Sequence, residues 1–353
     1  MRALRWLLPG MHFKRWLFLN IFGAFIFMVG LIMTVGIFIW GRIEYRILSY
    51  VYNWTGAWSG KLIGVSLMAL GMVGVVIGVR EMTKSITAVV LPEGEESLVD
   101  LFYQKRYLNR GPKVVVIGGG SGLSVLLRGL KQYTTRLAAV VTMADDGGSS
   151  GRLRDELGVL PPGDVRNCLI AMADTEPLLK QLFQHRFTSG GGLQGHSFGN
   201  LFLAAMTEVV GDFEQAIKES SKVLAVRGQV LPSTIDDVVL VAEFDDGAVI
   251  RGESQIGRSN RRVKRVKLEP AKPAPLKEAL AAIAEADAIV LGPGSLYTSI
   301  IPNLLVRGIA DAVRRSPATV IYVCNVMTQP GETTGYKASD HVKAIIDHVG
   351  PKL

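Results

Sequence analysis

The sequence predicts an α/β protein of Rossmann-like type, a mostly parallel sheet with helices on both faces and a small antiparallel insertion, preceded by two transmembrane helices. Three observations carry this. Two uncharged apolar runs stand near the N-terminus, at 16–40 and 62–79. Beyond residue 112, short apolar segments alternate with amphipathic ones, the pattern of strands joined by helices. Three glycine-rich segments each follow a predicted strand, where an open α/β sheet binds ligands.

The chain has 353 residues, 48% hydrophobic and 20% charged, with a formal net charge of +8. Its mean hydropathy is +0.29. Two cysteines exclude a disulfide scaffold, and the apolar content excludes disorder and a collagen-like chain. Residues 1–111 hold 12 Lys/Arg against 6 Asp/Glu, whereas 112–353 hold 27 against 25. The basic pI of about 9.4 therefore comes mainly from the N-terminal third and gives no support to a nucleic-acid partner.

Trp16–Trp40 runs 25 residues without a charge and has aromatic ends. At about 1.5 Å per residue such a helix is roughly 37 Å long, enough to span a bilayer with some tilt. Leu62–Val79 would reach about 27 Å, near the lower limit, with Tyr52, Trp54 and Trp58 before it suited to headgroup depth. The first run is too long for a signal-peptide core. Arg2, Arg5, Lys14 and Arg15 precede it, which favours cytoplasmic termini. The expected organisation is a basic cytoplasmic N-terminus (1–15), a span (16–40), an external loop (41–61), a span (62–79), a linker with a helix at Glu95–Tyr107 (80–111) and a cytoplasmic nucleotide-binding domain (112–353). The expected location is the cell membrane, multi-pass. Cys168 and Cys324, in no paired motif, suit a reducing compartment.

In the domain, Lys113–Ile117 reads as a strand followed by a helix through Lys131, and Leu137–Met143 as a second strand. Helices are expected at Asp164–Ala173, Pro177–Phe183, Phe198–Val209 and Phe213–Leu224. Val238–Phe244, Val249–Ser254 and Val263–Leu268 read as antiparallel strands, with a turn at Asp245-Asp246-Gly247. A helix at Pro275–Glu285, a strand at Ala288–Leu291, a helix at Pro302–Arg314 and a strand at Thr319–Cys324 complete the pattern.

The first glycine segment, Gly118-Gly119-Gly120-Ser121-Gly122, joins a buried strand to a helix. Glycine there admits a ligand close to the backbone, and the helix N-terminus offers N–H groups to an anion. A tight turn is the plainer alternative. No Gly-Lys-Ser/Thr follows, so it is not a Walker A loop. The second segment places Asp145 and Asp146 before Gly147, Gly148, Ser149, Ser150, Gly151 and Arg152. Paired carboxylates followed by hydroxyls and arginine suit a divalent cation and a diphosphate, with Asp145 and Asp146 as candidate metal ligands. A dinucleotide-binding dehydrogenase would place a single acid there, which argues against that class. The third segment contributes Gly292, Gly294, Ser295, Tyr297 and Thr298, and Asn325 and Thr328 follow the next strand on the same edge.

His196 and Asn200, four apart at a helix start, face one side; ligand binding and helix capping are equally open to them. No histidine has zinc-ligand spacing, and no Ser-His-Asp or Cys-His arrangement is legible. The run Arg258–Lys267 holds six cations and reads first as a solvated face, second as weak attraction to anionic lipid.

In this order the segments KVVVIGGGSGLSVLLRGL (113–130), VTMADDGGSSGRLR (141–154), LPPGDVRNCL (160–169), GHSFGNL (195–201), LGPGSLYTSIIPNLL (291–305) and NVMTQPGET (325–333) resemble the gluconeogenesis-factor (YvcK-like) family of the CofD-like superfamily. The resemblance covers 112–353. It implies a Rossmann-like core that binds a nucleotide or UDP-sugar, with roles in carbon metabolism, cell shape and envelope synthesis. It implies that Gly118–Gly122, Asp145–Arg152, Asn167, His196–Asn200 and Gly292–Thr298 line the site. It also implies a continuation of several tens of residues beyond Leu353. The related transferases move a phospholactyl group with a divalent cation. The expectation is a membrane-anchored, UDP-sugar-binding regulator, with magnesium as an accompanying cation and a homo-oligomer and an envelope-synthesis protein as partners. A 2-phospho-L-lactate transferase-like enzyme with a nucleotide diphosphate donor is the alternative, and whether there is turnover stays open.

Overall fold

The structure, a computed structural model, describes residues 13–35, 42–90, 108–259 and 261–351. They fall into two compact units, within 1–101 and 102–353.

In the first unit α1 (Phe13–Val35) packs against α2 (Arg42–Val90). Residues 42–61, expected as an external loop, are helical and continuous with the expected span at 62–79 and with the first part of the expected linker. No proline interrupts 42–90. Gly56 and Gly60 each cost only about 1 kcal/mol, too little to end a helix held by its neighbours. The expected helix at Glu95–Tyr107 and the aromatic end at Trp40 lie outside the described residues.

The two helices meet on glycines seven residues apart: Gly23 and Gly30 on α1, and Gly64, Gly71 and Gly78 on α2. A Cβ on Gly30 would lie 2.6 Å from the Gly64 carbonyl oxygen, and one on Gly71 only 2.5 Å from Phe27 N. Only a small-residue seam lets backbones approach this closely, and a seven-residue repeat keeps it turned toward the partner. The large apolar side chains point the other way: Phe18, Phe22, Phe25, Leu62, Val65 and Val76 are exposed. Arg15–Val35 and Lys61–Lys84 are each long and apolar enough to cross a membrane, by length and composition.

The second unit opens with a turn at Leu108–Arg110. It continues through β1 (Val114–Gly118), α3 (Gly120–Leu130), β2 (Leu137–Val141), α4 (Gly148–Leu157), α5 (Gly163–Met172), α6 (Pro177–Gln184), α7 (Phe198–Val210), α8 (Phe213–Val223) and β3 (Gln229–Pro232). An insertion follows: β4 (Val239–Phe244), β5 (Val249–Arg251), α9 (Glu253–Arg258) and β6 (Val263–Glu269). Then come α10 (Lys277–Ala284), β7 (Ala288–Leu291), a π-helical turn at Leu296–Ile300 that runs into α11 (Ile301–Leu305), α12 (Ile309–Arg315), β8 (Thr319–Tyr322) and α13 (Ala338–Val349).

The five-stranded sheet has the order β3-β2-β1-β7-β8 and is parallel throughout; β5-β4-β6 form the antiparallel insertion. The chain winds outward from β1 through β2 to β3, then crosses to β7 on the other side of β1. The β1/β7 junction is therefore the topological switch point, where neighbouring loops diverge and leave a crevice. β1 is central and wholly buried, as its run of valines and isoleucine requires.

Several expected elements are corrected. Gly148–Leu157 is a helix, not a loop, and β3 and α13 form where none was expected. The strand expected to reach Ser254 stops at Arg251 and gives way to α9. The single helix expected at Pro302–Arg314 is broken into α11 and α12, with Gly308 at φ +80° between them.

Candidate functional site

The first and third glycine loops meet at the switch point. Gly120, the first residue of α3, has φ +69°, which disfavours any residue with a Cβ. At Gly119 the constraint is space: a Cβ would lie 2.6 Å from Asp164 Oδ2 and 2.7 Å from Thr142 Cγ2. The Asp164 carboxylate accepts the Gly120 N–H. The N-terminus of α3, expected to offer its N–H groups to a ligand, thus already carries one carboxylate of the protein. A Cβ on Gly122 would lie 3.1 Å from the Pro293 carbonyl oxygen, so the two loops are in near contact. Asn303 Nδ2 ties them, donating to the carbonyls of Gly118 (2.9 Å) and Ser299 (2.7 Å). Ser121 is exposed at this rim.

In the second loop, Asp145 Oδ1 accepts the Gly147 N–H at 2.9 Å, and Ser150 donates its hydroxyl to the same carboxyl group. Asp146 has a different task. Its Oδ1 accepts the Ser254 N–H at 2.7 Å and so caps α9 of the insertion. Gly148 is exposed at the start of α4. Ser149 is buried and turned inward: its Oγ shares a hydrogen bond with His196 Nδ1 (2.9 Å) and accepts one from Asn200 Nδ2 (3.1 Å). His196 and Asn200 are thus brought together, but on Ser149. Asn200 Oδ1 is buried and has no partner among the described residues. Ser197 caps α7, its Oγ accepting the Asn200 N–H at 3.2 Å. Arg152 Nη2 donates to the Gln194 carbonyl at 2.7 Å and steadies the loop before His196. Asn167 Oδ1 accepts from Arg166 Nη2 at 2.7 Å.

In the third loop Asn325 Nδ2 donates to the Gly294 carbonyl at 2.8 Å. The Ser295 hydroxyl donates to the buried carboxylate of Glu332, which also receives the Tyr297 N–H. Tyr297 leaves the cleft: it is buried, and its hydroxyl meets that of Tyr336 at 2.8 Å. Thr298 donates to Glu253, and Thr328 is exposed beyond β8.

The cleft therefore gathers Asp145, Asp164 and Glu253. Burial pushes Glu253 up to about 7, with the Asp145 charge adding to it, and pushes Asp164 up to about 6, again with Asp145 contributing. Burial also raises Asp145, partly offset by its bonds to Gly147 and Ser150. Burial and Arg152 lower His196, so it is neutral near pH 7.

Crowded carboxylates that resist ionisation are sites where a cation lowers the free energy of the charged form. Among the described residues no three His, Cys, Asp or Glu side chains are arranged to hold a metal ion by themselves. A magnesium ion held by one or two carboxylates, phosphate oxygens and water needs no such cage. Asp145 suits that role through the lone pairs that its bonds to Gly147 and Ser150 leave, and Asp146 through the oxygen not bound to Ser254. Sequence reasoning did not single out Asp164, Glu253, Ser299, Asn303 or Glu332. Asp164 had the best local signal, an acid in the first turn of a helix after Pro-Pro-Gly.

In a doubly wound α/β domain the switch point, where these polar side chains meet, is the usual place for a ligand. A family model described as 2-phospho-L-lactate transferase CofD matches residues 114–353. The chain belongs to the CofD family, on its gluconeogenesis-factor, YvcK-like branch. It is 60% identical to a gluconeogenesis factor of Halalkalibacterium halodurans over 67% of this chain and 74% of that one. It is 58% identical to the gluconeogenesis factor of Bacillus subtilis over 69% and 77%. A relative from Nostoc sp. is 53% identical over 97% of this chain and 75% of its own, so that match takes in most of the N-terminal unit. Among solved structures, a crystal structure of protein BH3568 from Bacillus halodurans aligns with a TM-score of 0.67 at 58% identity, over 69% of this chain and 78% of that one.

Proposed function

We propose that this protein is a membrane-anchored regulator that binds a nucleotide sugar of the UDP-sugar type, with a magnesium ion, in the switch-point cleft. In this reading it couples carbon metabolism to cell shape and cell-wall synthesis, acting on an envelope-synthesis partner. The observation that carries it is the junction of the Gly118–Gly122 and Gly292–Thr298 loops beside Asp145, Asp164 and Glu253. Close backbone approach suits a diphosphate, and the carboxylates suit the cation that accompanies one. Ser149, whose hydroxyl is paired with His196, is buried on the protein side, which favours binding without nucleophilic chemistry. The anchor is supported by the outward apolar surface of 16–35 and 62–79: stretches that expose mostly apolar side chains are stable in lipid and costly in water.

A transferase is the second reading, favoured by the family's own description and by the carboxylate cluster. Phosphoryl-type transfer relies mainly on positioning and charge neutralisation, so it requires no triad. In either reading a bound magnesium would supply charge neutralisation at the diphosphate. Calorimetry of the full chain in nanodiscs with UDP-N-acetylglucosamine and magnesium, followed by product analysis, separates the readings. Saturable binding with the sugar nucleotide recovered intact is expected. Magnesium-dependent consumption of a nucleotide diphosphate donor would establish the transferase, and no binding would contradict the UDP-sugar assignment.

A further inference from the structure

The sheet edge opposite the glycine loops has a chemistry of its own. α3 and α5 both start at the cleft and run to that far edge; the eleven residues of α3 carry it about 16 Å. Lys131 closes α3 there. It is only 6% exposed, and its Nζ donates to the Ala173 carbonyl at the end of α5, at 2.6 Å. Asp174 lies 4.0 Å from Lys131 Nζ and is also ion-paired with Arg227. Arg128 and Lys180 bring further positive charge to bear on Lys131.

The surface continues along the α3–β2 loop, where Tyr133 is 75% exposed and Arg136 is exposed. The Leu108–Arg110 turn packs on this loop: the Thr135 N–H donates to the Leu108 carbonyl at 3.2 Å, and Arg110 is exposed beside it. This face therefore joins Arg110, Arg128, Lys131, Arg136, Lys180 and Arg227 against Asp174, Glu176, Asp287 and a Glu285 already paired with Lys113. The cationic run at Arg258–Lys267, the sequence's own candidate for lipid attraction, is mostly neutralised instead. Arg261, Arg262, Lys264 and Lys267 are paired with Asp246, Asp245, Glu243 and Glu269.

We propose that the face formed by Arg110, Arg128, Tyr133 and Arg136 around Lys131 rests on anionic lipid headgroups. The inference depends on the proposed membrane anchor. Guanidinium groups attract phosphate headgroups, and an exposed tyrosine among them is an amphipathic ring suited to headgroup depth. Leu108–Arg110, the first described segment of the domain, lies at this face and precedes β1. The cleft, on the opposite sheet edge, stays open to soluble ligands.

The test uses the full chain in vesicles of phosphatidylcholine alone and of phosphatidylcholine with phosphatidylglycerol. Amide hydrogen exchange at 128–136 is expected to be about tenfold slower with phosphatidylglycerol. The slowing should disappear in the variant R110E/R128E/R136E, with exchange in the core strand at 137–141 unchanged as proof of folding. Retention of the chain in both vesicle types after an alkaline wash reports on the anchor separately. Equal exchange in both vesicle types with the chain retained would overturn the lipid-facing surface and leave the anchor standing. Slowing that survives in the triple variant would overturn the assignment to these arginines. Release of the chain by the wash would overturn the anchor, and this surface with it.

Discussion

The N-terminal helices and the α/β domain use the same residue types in opposite ways. In the helical pair, glycines are buried in the seam and phenylalanine, valine and leucine face outward. In the domain, valine, isoleucine and leucine fill the core, while glycines line the loops at the sheet edge. The contrast follows from solvent. In water, apolar burial drives folding, so apolar side chains go inside. In the bilayer proposed for α1 and α2 that drive is absent between the helices, and close backbone packing takes its place. The whole-chain mean hydropathy of +0.29 averages two units that obey different rules.

Substitutions matched to each unit sharpen the contrast. The largest effect is expected from Ile117→Ala, at a fully buried position of β1. It should lower domain stability by about 2–5 kcal/mol in denaturant unfolding and leave membrane retention unchanged. Gly71→Leu should do the reverse. A side chain forced against Phe27 N costs about 1–3 kcal/mol of overpacking, seen as a longer distance between spin labels at 18 and 79, with the domain's unfolding unaltered. Loss of domain stability in that variant would mean that the units are not independent.

At the site, Gly119→Val should weaken nucleotide-sugar binding about tenfold, or ~1.4 kcal/mol by titration calorimetry, because its side chain meets Asp164 and Thr142. The smallest effect concerns pH. His348 Nε2 accepts the Val266 N–H at 3.0 Å, its Nδ1 pairs with the Ala344 carbonyl, and burial lowers its pKa. The unfolded chain therefore takes up this proton first, and the associated stability, complete above the unfolded value of 6.5, is lost as pH falls below it. The drop in domain melting temperature between pH 7.5 and 5.5 should shrink in His348→Gln. The apolar spans, without charged residues at 16–35 and 62–79, should add no pH dependence of their own.

The glycine loops and most strands were legible because each is a local signal: an apolar run, then glycines. What was illegible depended on contacts distant in sequence. α4 begins Gly-Ser-Ser-Gly, a poor helix by propensity, and is held by Ser149 on His196 and Ser150 on Asp145. α9 is capped by Asp146, 108 positions earlier in the chain. β3 is four residues long and ends in proline; its place comes from pairing with β2. Glu253 stands in no quoted segment and Glu332 only near the end of the last one; both reach the glycine loops through the fold. Tyr297 was legible as part of the third loop, but its inward turn toward Tyr336 was not.

A crystal structure of the chain soaked with UDP-N-acetylglucosamine and magnesium tests the switch-point assignment most directly. The expected result is a diphosphate between Gly118–Gly122 and Gly292–Thr298, with a cation on Asp145. A ligand bound elsewhere, or an unchanged cleft at saturating concentration, would contradict it.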